Sequence, residues 1–218
     1  MPSEARLFIF DWDGTLMDSE RQIVHCMQAA ADDLRVVIPG YEAVRGIIGL
    51  GLPEAIQQLF PDQDAGSREA IRQAYAGHFL GGTGGGSDLF PHARELLADL
   101  RGAGHQLAIA TGKSRLGLDR VLAATALEDC FHITRCADET ASKPDPRMLH
   151  EILAELERSP GQALMIGDTT FDLEMAARAG VPSVGLAHGV HAVEDLQRHE
   201  PLAIVPDLRA LAELLARL

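Results

Sequence analysis

The sequence predicts an α/β fold, a parallel sheet covered by helices, and three observations carry that reading. Short uninterrupted apolar runs recur along the 218 residues, as strands buried on both faces require. Amphipathic stretches of helical period separate them. Between about Asp18 and Leu80 the alternation stops, and helical stretches follow one another with no convincing strand among them, which suggests a separate helical lobe.

The first strand is Leu7-Phe8-Ile9-Phe10, and residues 19–34, 41–48, 53–60 and 67–79 read as the helices of the lobe. Gly81-Gly82-Thr83-Gly84-Gly85-Gly86-Ser87 follows, a glycine cluster that can absorb large backbone rotations and so predicts a hinge. Further strands are expected at 106–110, 163–166, 182–185 and 203–205, with a weaker one at 131–134. The helix at 91–100 opens on Pro91 and closes at Gly102 and Gly104, the usual start and stop signals. Helices at 114–124, 146–157, 171–179 and 208–215 complete the alternation.

The formal net charge is −13, with 32 acidic against 19 basic residues. Such a surface repels nucleic acid and anionic lipid, so neither is an expected partner. Any site for an anion here must therefore bring its own cations. Cys26, Cys130 and Cys136 are odd in number and show no framework spacing, which suits a reducing compartment. The apolar run before Asp11 is too short for a signal peptide, and no stretch approaches the length of a membrane span; the expected location is cytoplasmic.

Four short motifs carry chemistry. Asp11-Trp12-Asp13-Gly14-Thr15 follows the first strand directly and sets two carboxylates where open α/β sheets build their sites. Carboxylates so close are tolerable around a cation or as an acid–base pair. By strand alternation, Trp12 should point away from the site. Gly167-Asp168-Thr169-Thr170-Phe171-Asp172 places a second pair at another strand tip, hard oxygens that suit Mg²⁺, although Asp is also a common helix cap. Thr111-Gly112-Lys113 offers a hydroxyl and backbone amides at a strand end, where a phosphoryl oxygen can be held, though Thr-Gly is frequently only a turn. Lys143, stiffened by Pro144 and Pro146, can neutralise a transferring phosphoryl group. None of the nine histidines is assigned to a metal; His188 and His191 share a loop without a partner at ligand spacing.

In order and context these motifs resemble the haloacid dehalogenase superfamily of hydrolases over nearly the whole chain, in its phosphoglycolate phosphatase-like branch. The resemblance implies a Rossmann-like parallel sheet core, residues 1–16 and 88–218, with an inserted α-helical cap domain at 17–80 and a hinge at 81–87. It implies that Asp11 is the nucleophile and Asp13 the general acid and base. Mg²⁺ would be held by Asp11, the carbonyl of Asp13 and Asp168, with Asp172 in support behind them. Thr111, Gly112 and Lys143 would grip the phosphoryl oxygens. In the cap, Arg45, Gly49 and Gly51 are candidates for holding a small anionic leaving group, although the loop at 47–53 could equally just join two helices.

The expected activity is Mg²⁺-dependent hydrolysis of a small phosphate monoester, with phosphoglycolate a candidate substrate. A dehalogenase would lack Asp13, and a phosphonate-cleaving member needs a cap lysine that residues 18–80 do not contain. A phosphomutase resembling β-phosphoglucomutase stays open, with Arg21 and His25 as the basic residues near its expected place; so do nucleotide, pyrophosphate or sugar-phosphate phosphatases and a non-catalytic binding protein. A monomer or homodimer is expected.

Overall fold

The computed structural model describes residues 6–82 and 85–217; Thr83 and Gly84, within the expected hinge, lie outside the described residues. The chain opens with β1 (Leu7–Phe10), whose four residues are all buried. It then forms a two-residue strand, β2 (Met17–Asp18), before the helices α1 (Glu20–Asp33), α2 (Tyr41–Arg45), α3 (Leu52–Leu59) and α4 (Ala65–Gly81). It returns through β3 (Asp88–Leu89), which pairs antiparallel with β2, Met17 opposite Leu89. This small pair lies where the chain leaves and re-enters the sheet region. Two residues per strand are too few to show any period, so the pair is not legible from the sequence.

From there strand and helix alternate: α5 (Ala93–Gly102), β4 (Gln106–Thr111), α6 (Arg115–Thr125), β5 (Ile133–Cys136), α7 (Arg147–Glu155), β6 (Ala163–Gly167), α8 (Thr170–Ala179), β7 (Ser183–Leu186), α9 (Val193–Gln197), β8 (Ala203–Val205) and α10 (Leu208–Leu215). The six-stranded sheet is parallel throughout, in the order β5-β4-β1-β6-β7-β8. β5 begins two residues later than expected. Phe131 belongs to the preceding loop, where its ring meets Trp12 edge-on at 6.4 Å, and pairing with β4 starts at Ile133.

Strand alternation divides the core into two layers. Phe8, Phe10, Leu107 and Ile109 face α5, α6 and α10, while Leu7, Ile9, Ala108 and Met165 face α7 and α8. Trp12, fully buried, continues the first layer, and its indole N–H donates to Met17 Sδ at 3.3 Å. The indole therefore points into the core, as alternation requires, while the residues on either side face the other way. The inserted helices have an apolar core of their own, built on Val24, Met27, Val44, Ile56 and Ile71, and Val190 of the sheet region packs into it.

Candidate active site

β1 is central, with β4 on one side and β6 on the other, so the strand order reverses direction at β1. Loops leaving the carboxyl ends of such neighbours must diverge, and the crevice between them is where open α/β sheets bind ligands. Asp11 follows β1, Thr111 ends β4 and Asp168 follows β6. Gly14 turns the first loop with φ +81°, and a Cβ there would lie 2.2 Å from Asp168 Oδ2. Glycine is thus required twice over, by backbone conformation and by the closeness of the carboxylate.

Lys143 is fully buried between two carboxylates, its Nζ 2.7 Å from Asp11 Oδ1 and 2.6 Å from Asp172 Oδ1. Burial alone would lower its pKa, but Asp11 and Asp172 outweigh it and the ammonium is held above its ordinary value. Asp172 also closes a reciprocal cap on α8. Its Oδ2 accepts from the Thr169 hydroxyl at 2.7 Å and amide at 3.1 Å, while Thr169 Oγ1 accepts from the Asp172 amide. Asp172 therefore supports the start of α8 from its third position, with Thr169 as the cap, and pairs with Lys143 as well.

Asp168 is held by Thr15, whose hydroxyl donates to Oδ1 at 2.6 Å, and by the Val190 amide, which donates to Oδ2 at 2.8 Å. Burial, and then the neighbouring Asp172 charge, push its pKa up to about 7. Asp11 is also raised well above the carboxylate range, by burial first; Lys143 opposes the shift, and Asp172 and Asp168 add to it. Its second oxygen, Oδ2, is buried and has no hydrogen-bond partner among the described residues. Asp11, Asp168 and Asp172 each offer an oxygen within 4.8 Å of the others. A buried set of like charges containing an orphaned oxygen fits a divalent cation, since burying that charge without a partner is costly.

Asp13 faces a different way. Its carboxylate accepts from the Ser19 hydroxyl at 2.6 Å and from Lys113 Nζ at 2.9 Å. Lys113 in turn sits over the ring of Phe79 from α4, 4.5 Å from its centroid. Sequence reasoning gave Lys113, Ser19 and Thr15 no roles. One signal could have found Lys113: of the chain's 19 basic residues only two are lysines, Lys113 and Lys143, and both meet a site aspartate.

Above Asp11 and Asp13 lies a cavity of about 130 Å³, walled on the sheet side by Thr111, Gly112, Lys113 and Ser114 and roofed by the inserted helices. A Cβ on Gly112 would come within 2.4 Å of Leu50 O and 2.5 Å of Gly49 O, so the roof loop rests directly on this glycine. Gly49 lines the cavity, but two other residues expected to face a leaving group are engaged elsewhere. The Gly51 amide donates to Ser142 Oγ at 2.7 Å, and Gly51 is not part of the lining. Arg45 pairs with Glu20 at 3.2 Å and reaches toward Gly189 O, beside a separate hollow that includes Thr170 and His191. Glu20, one turn into the lobe, was the partner that the sequence could not place. Arg21 and His25 are exposed and line neither cavity. His188 stacks on Phe90 and His191 accepts from the Thr170 amide, so both have structural partners.

No described helix is long and apolar enough to cross a membrane. The family described as haloacid dehalogenase-like hydrolase matches residues 8–186. A protein named "Probable phosphatase IndB" from Dickeya dadantii is 36% identical over 205 residues, 91% of this chain and 88% of the relative. A plasmid-borne phosphoglycolate phosphatase from Cupriavidus necator is 30% identical, with 95% and 91% covered. Among solved structures, a "Putative haloacid dehalogenase-like hydrolase" from Bacteroides fragilis superposes with a TM-score of 0.88 at 29% identity, covering 95% of this chain and all of that one.

Proposed function

This chain belongs to the haloacid dehalogenase-like hydrolases, and from that premise we propose that it is a Mg²⁺-dependent phosphatase that hydrolyses a small phosphate monoester through an aspartyl-phosphate on Asp11. The observation that carries the reading is Asp11 Oδ2, a buried carboxylate oxygen with no hydrogen-bond partner among the described residues, on a residue that lines the cavity floor. An oxygen kept unpaired at that cost is available to a cation or to phosphorus.

Asp11, Asp168 and the carbonyl of Asp13 would hold the ion, with Asp172 behind them, tied to Lys143 and to the start of α8. When bound, the ion would neutralise charge on the transferring group. Asp11 attacks phosphorus as the ester P–O bond breaks. Asp13, oriented by Ser19 and Lys113, gives a proton to the departing alcohol oxygen and takes one from the water that then cleaves the aspartyl-phosphate. Thr111, the Gly112 amide and Lys143 stabilise the non-bridging oxygens. Phosphoglycolate belongs in the first substrate panel because of the activity named for the Cupriavidus relative.

The test is phosphate release from p-nitrophenyl phosphate with and without Mg²⁺, for the wild type and Asp11→Asn. Activity should require the ion and fall on the order of 10³-fold or more in the variant. Equal rates for the two proteins would remove Asp11 as the nucleophile.

A further inference from the structure

The roof of the cavity has a chemistry that the catalytic motifs do not explain. Every residue of the inserted lobe that lines it is uncharged, and Ile23, Met27, Ile48, Leu52 and Phe79 give it an apolar wall. Tyr75 brings the only side-chain oxygen or nitrogen among the described lobe residues in that lining. Burial, with Asp13 and Cys26 nearby, holds its hydroxyl well above the usual tyrosine range, so it too stays neutral.

Cations that could face a leaving group are otherwise engaged. Lys113 is paired with Asp13 and covered by the Phe79 ring. Arg45 is bound to Glu20 outside the cavity, and the Gly51 amide is taken by Ser142. A carboxylate or second phosphate entering this space would lose its water and meet no free positive charge among the described residues, which is unfavourable. A sugar would leave several hydroxyls facing aliphatic carbon.

Resting on the phosphatase reading above, we propose that the substrate is the phosphate monoester of an apolar, uncharged alcohol no larger than one ring, rather than phosphoglycolate or a sugar phosphate. The volume sets an upper bound on size: about 130 Å³, which must admit the phosphoryl group at Asp11 as well, does not exceed the roughly 150 Å³ of a cavity known to accept benzene, so the alcohol is no larger than one ring. The reaction is hydrolysis, in which ester and water give the alcohol and inorganic phosphate, and no oxidant or second substrate is needed.

The experiment compares kcat/KM for 2-phenylethyl phosphate, phosphoglycolate and glycerol 3-phosphate at saturating Mg²⁺. All three are aliphatic esters, so none has the built-in leaving-group advantage of a phenol. The aromatic ester should exceed both others at least tenfold, within the roughly 10–200-fold range that apolar pockets discriminate. Leu50→Arg, a partly exposed position in the roof loop, should lower the preference for 2-phenylethyl phosphate and raise phosphoglycolate turnover. A preference for phosphoglycolate or glycerol 3-phosphate in the wild type would overturn the inference while leaving the phosphatase reading intact. Hydrolysis of none of the three, nor of p-nitrophenyl phosphate, would overturn both.

Discussion

The two ends of the one cavity are built on opposite principles. At the sheet end and in the layer behind it the charged groups have assigned neighbours, Asp11 Oδ2 excepted: Lys143 between Asp11 and Asp172, Thr15 and Val190 on Asp168, Ser19 and Lys113 on Asp13. At the roof end the wall is aliphatic and aromatic, and its residues belong equally to the lobe's own apolar core. Charge can be held at the floor because each carboxylate there is fixed by a short hydrogen bond or ion pair before a ligand arrives. The roof, lacking such fixtures, can select a ligand only by shape and by what it refuses to solvate. A change at the floor should thus damage chemistry or metal binding whatever the substrate, and a change at the roof should alter preference alone.

The largest break in that contrast should come from Lys143→Ala. Removing a fully buried cation from between two carboxylates leaves uncompensated charge, a loss of about 3–5 kcal/mol in general. Urea denaturation should register it as a lower unfolding midpoint. A midpoint within error of the wild type would mean that the floor is not the tightly balanced cluster described.

The same balance predicts a pH dependence. Asp168 has its folded pKa raised to about 7 and Asp11 is raised well above its ordinary value, so without metal the folded state binds more protons than the unfolded chain. Stability of the metal-free protein should then fall as pH rises from about 4 through about 7, by at most about 1.4 kcal/mol per unit per group. If these carboxylates hold Mg²⁺ as proposed, the ion would offset the ionised charge, so the rise in Tm on adding it should be larger at pH 8 than at pH 5.5. An equal rise at both values would argue against these carboxylates as the ion's ligands.

The contrast also explains which parts were legible in the sequence. Asp11, Thr111 and Asp168 were legible as residues at strand ends, and the structure brings them together with Asp13 and Lys143 from the loops. The sheet strands are legible as uninterrupted apolar runs, and the inserted helices by their period. β2 and β3 are not, having two residues each. The partners of Arg45 and Lys113 were also hidden. Arg45 meets Glu20, 25 residues away, and Lys113 meets Asp13, 100 residues away; both pairings depend on how the lobe and the loops come together rather than on any local pattern. An apolar roof was hidden too, because an aliphatic residue on an amphipathic helix reads first as core.

Thr15→Val tests how far the floor depends on its supports. The hydroxyl donating to Asp168 Oδ1 at 2.6 Å disappears while the volume stays nearly the same. Loss of such a support to a metal-holding carboxylate typically costs about 10–100-fold in metal affinity. The Mg²⁺ concentration for half-maximal activity should rise by that factor, with little change in KM for the ester at saturating metal. A raised KM with unaltered metal dependence would place Thr15 in substrate binding instead.

The smallest effect belongs at the roof. Leu52 opens α3, lines the cavity and is only partly buried, so Leu52→Ala should remove apolar contact without opening the lobe's core. Truncating a leucine that covers a ligand by roughly 50–60 Å² corresponds to about 1.4 kcal/mol, or tenfold in kcat/KM. That loss should appear with 2-phenylethyl phosphate and be much smaller with glycerol 3-phosphate, while the half-maximal Mg²⁺ concentration stays unchanged. Equal losses for the two esters would mean that Leu52 acts on the closure of the lobe over the floor rather than on the leaving group, and the separation between the two ends of the cavity would fail at that residue.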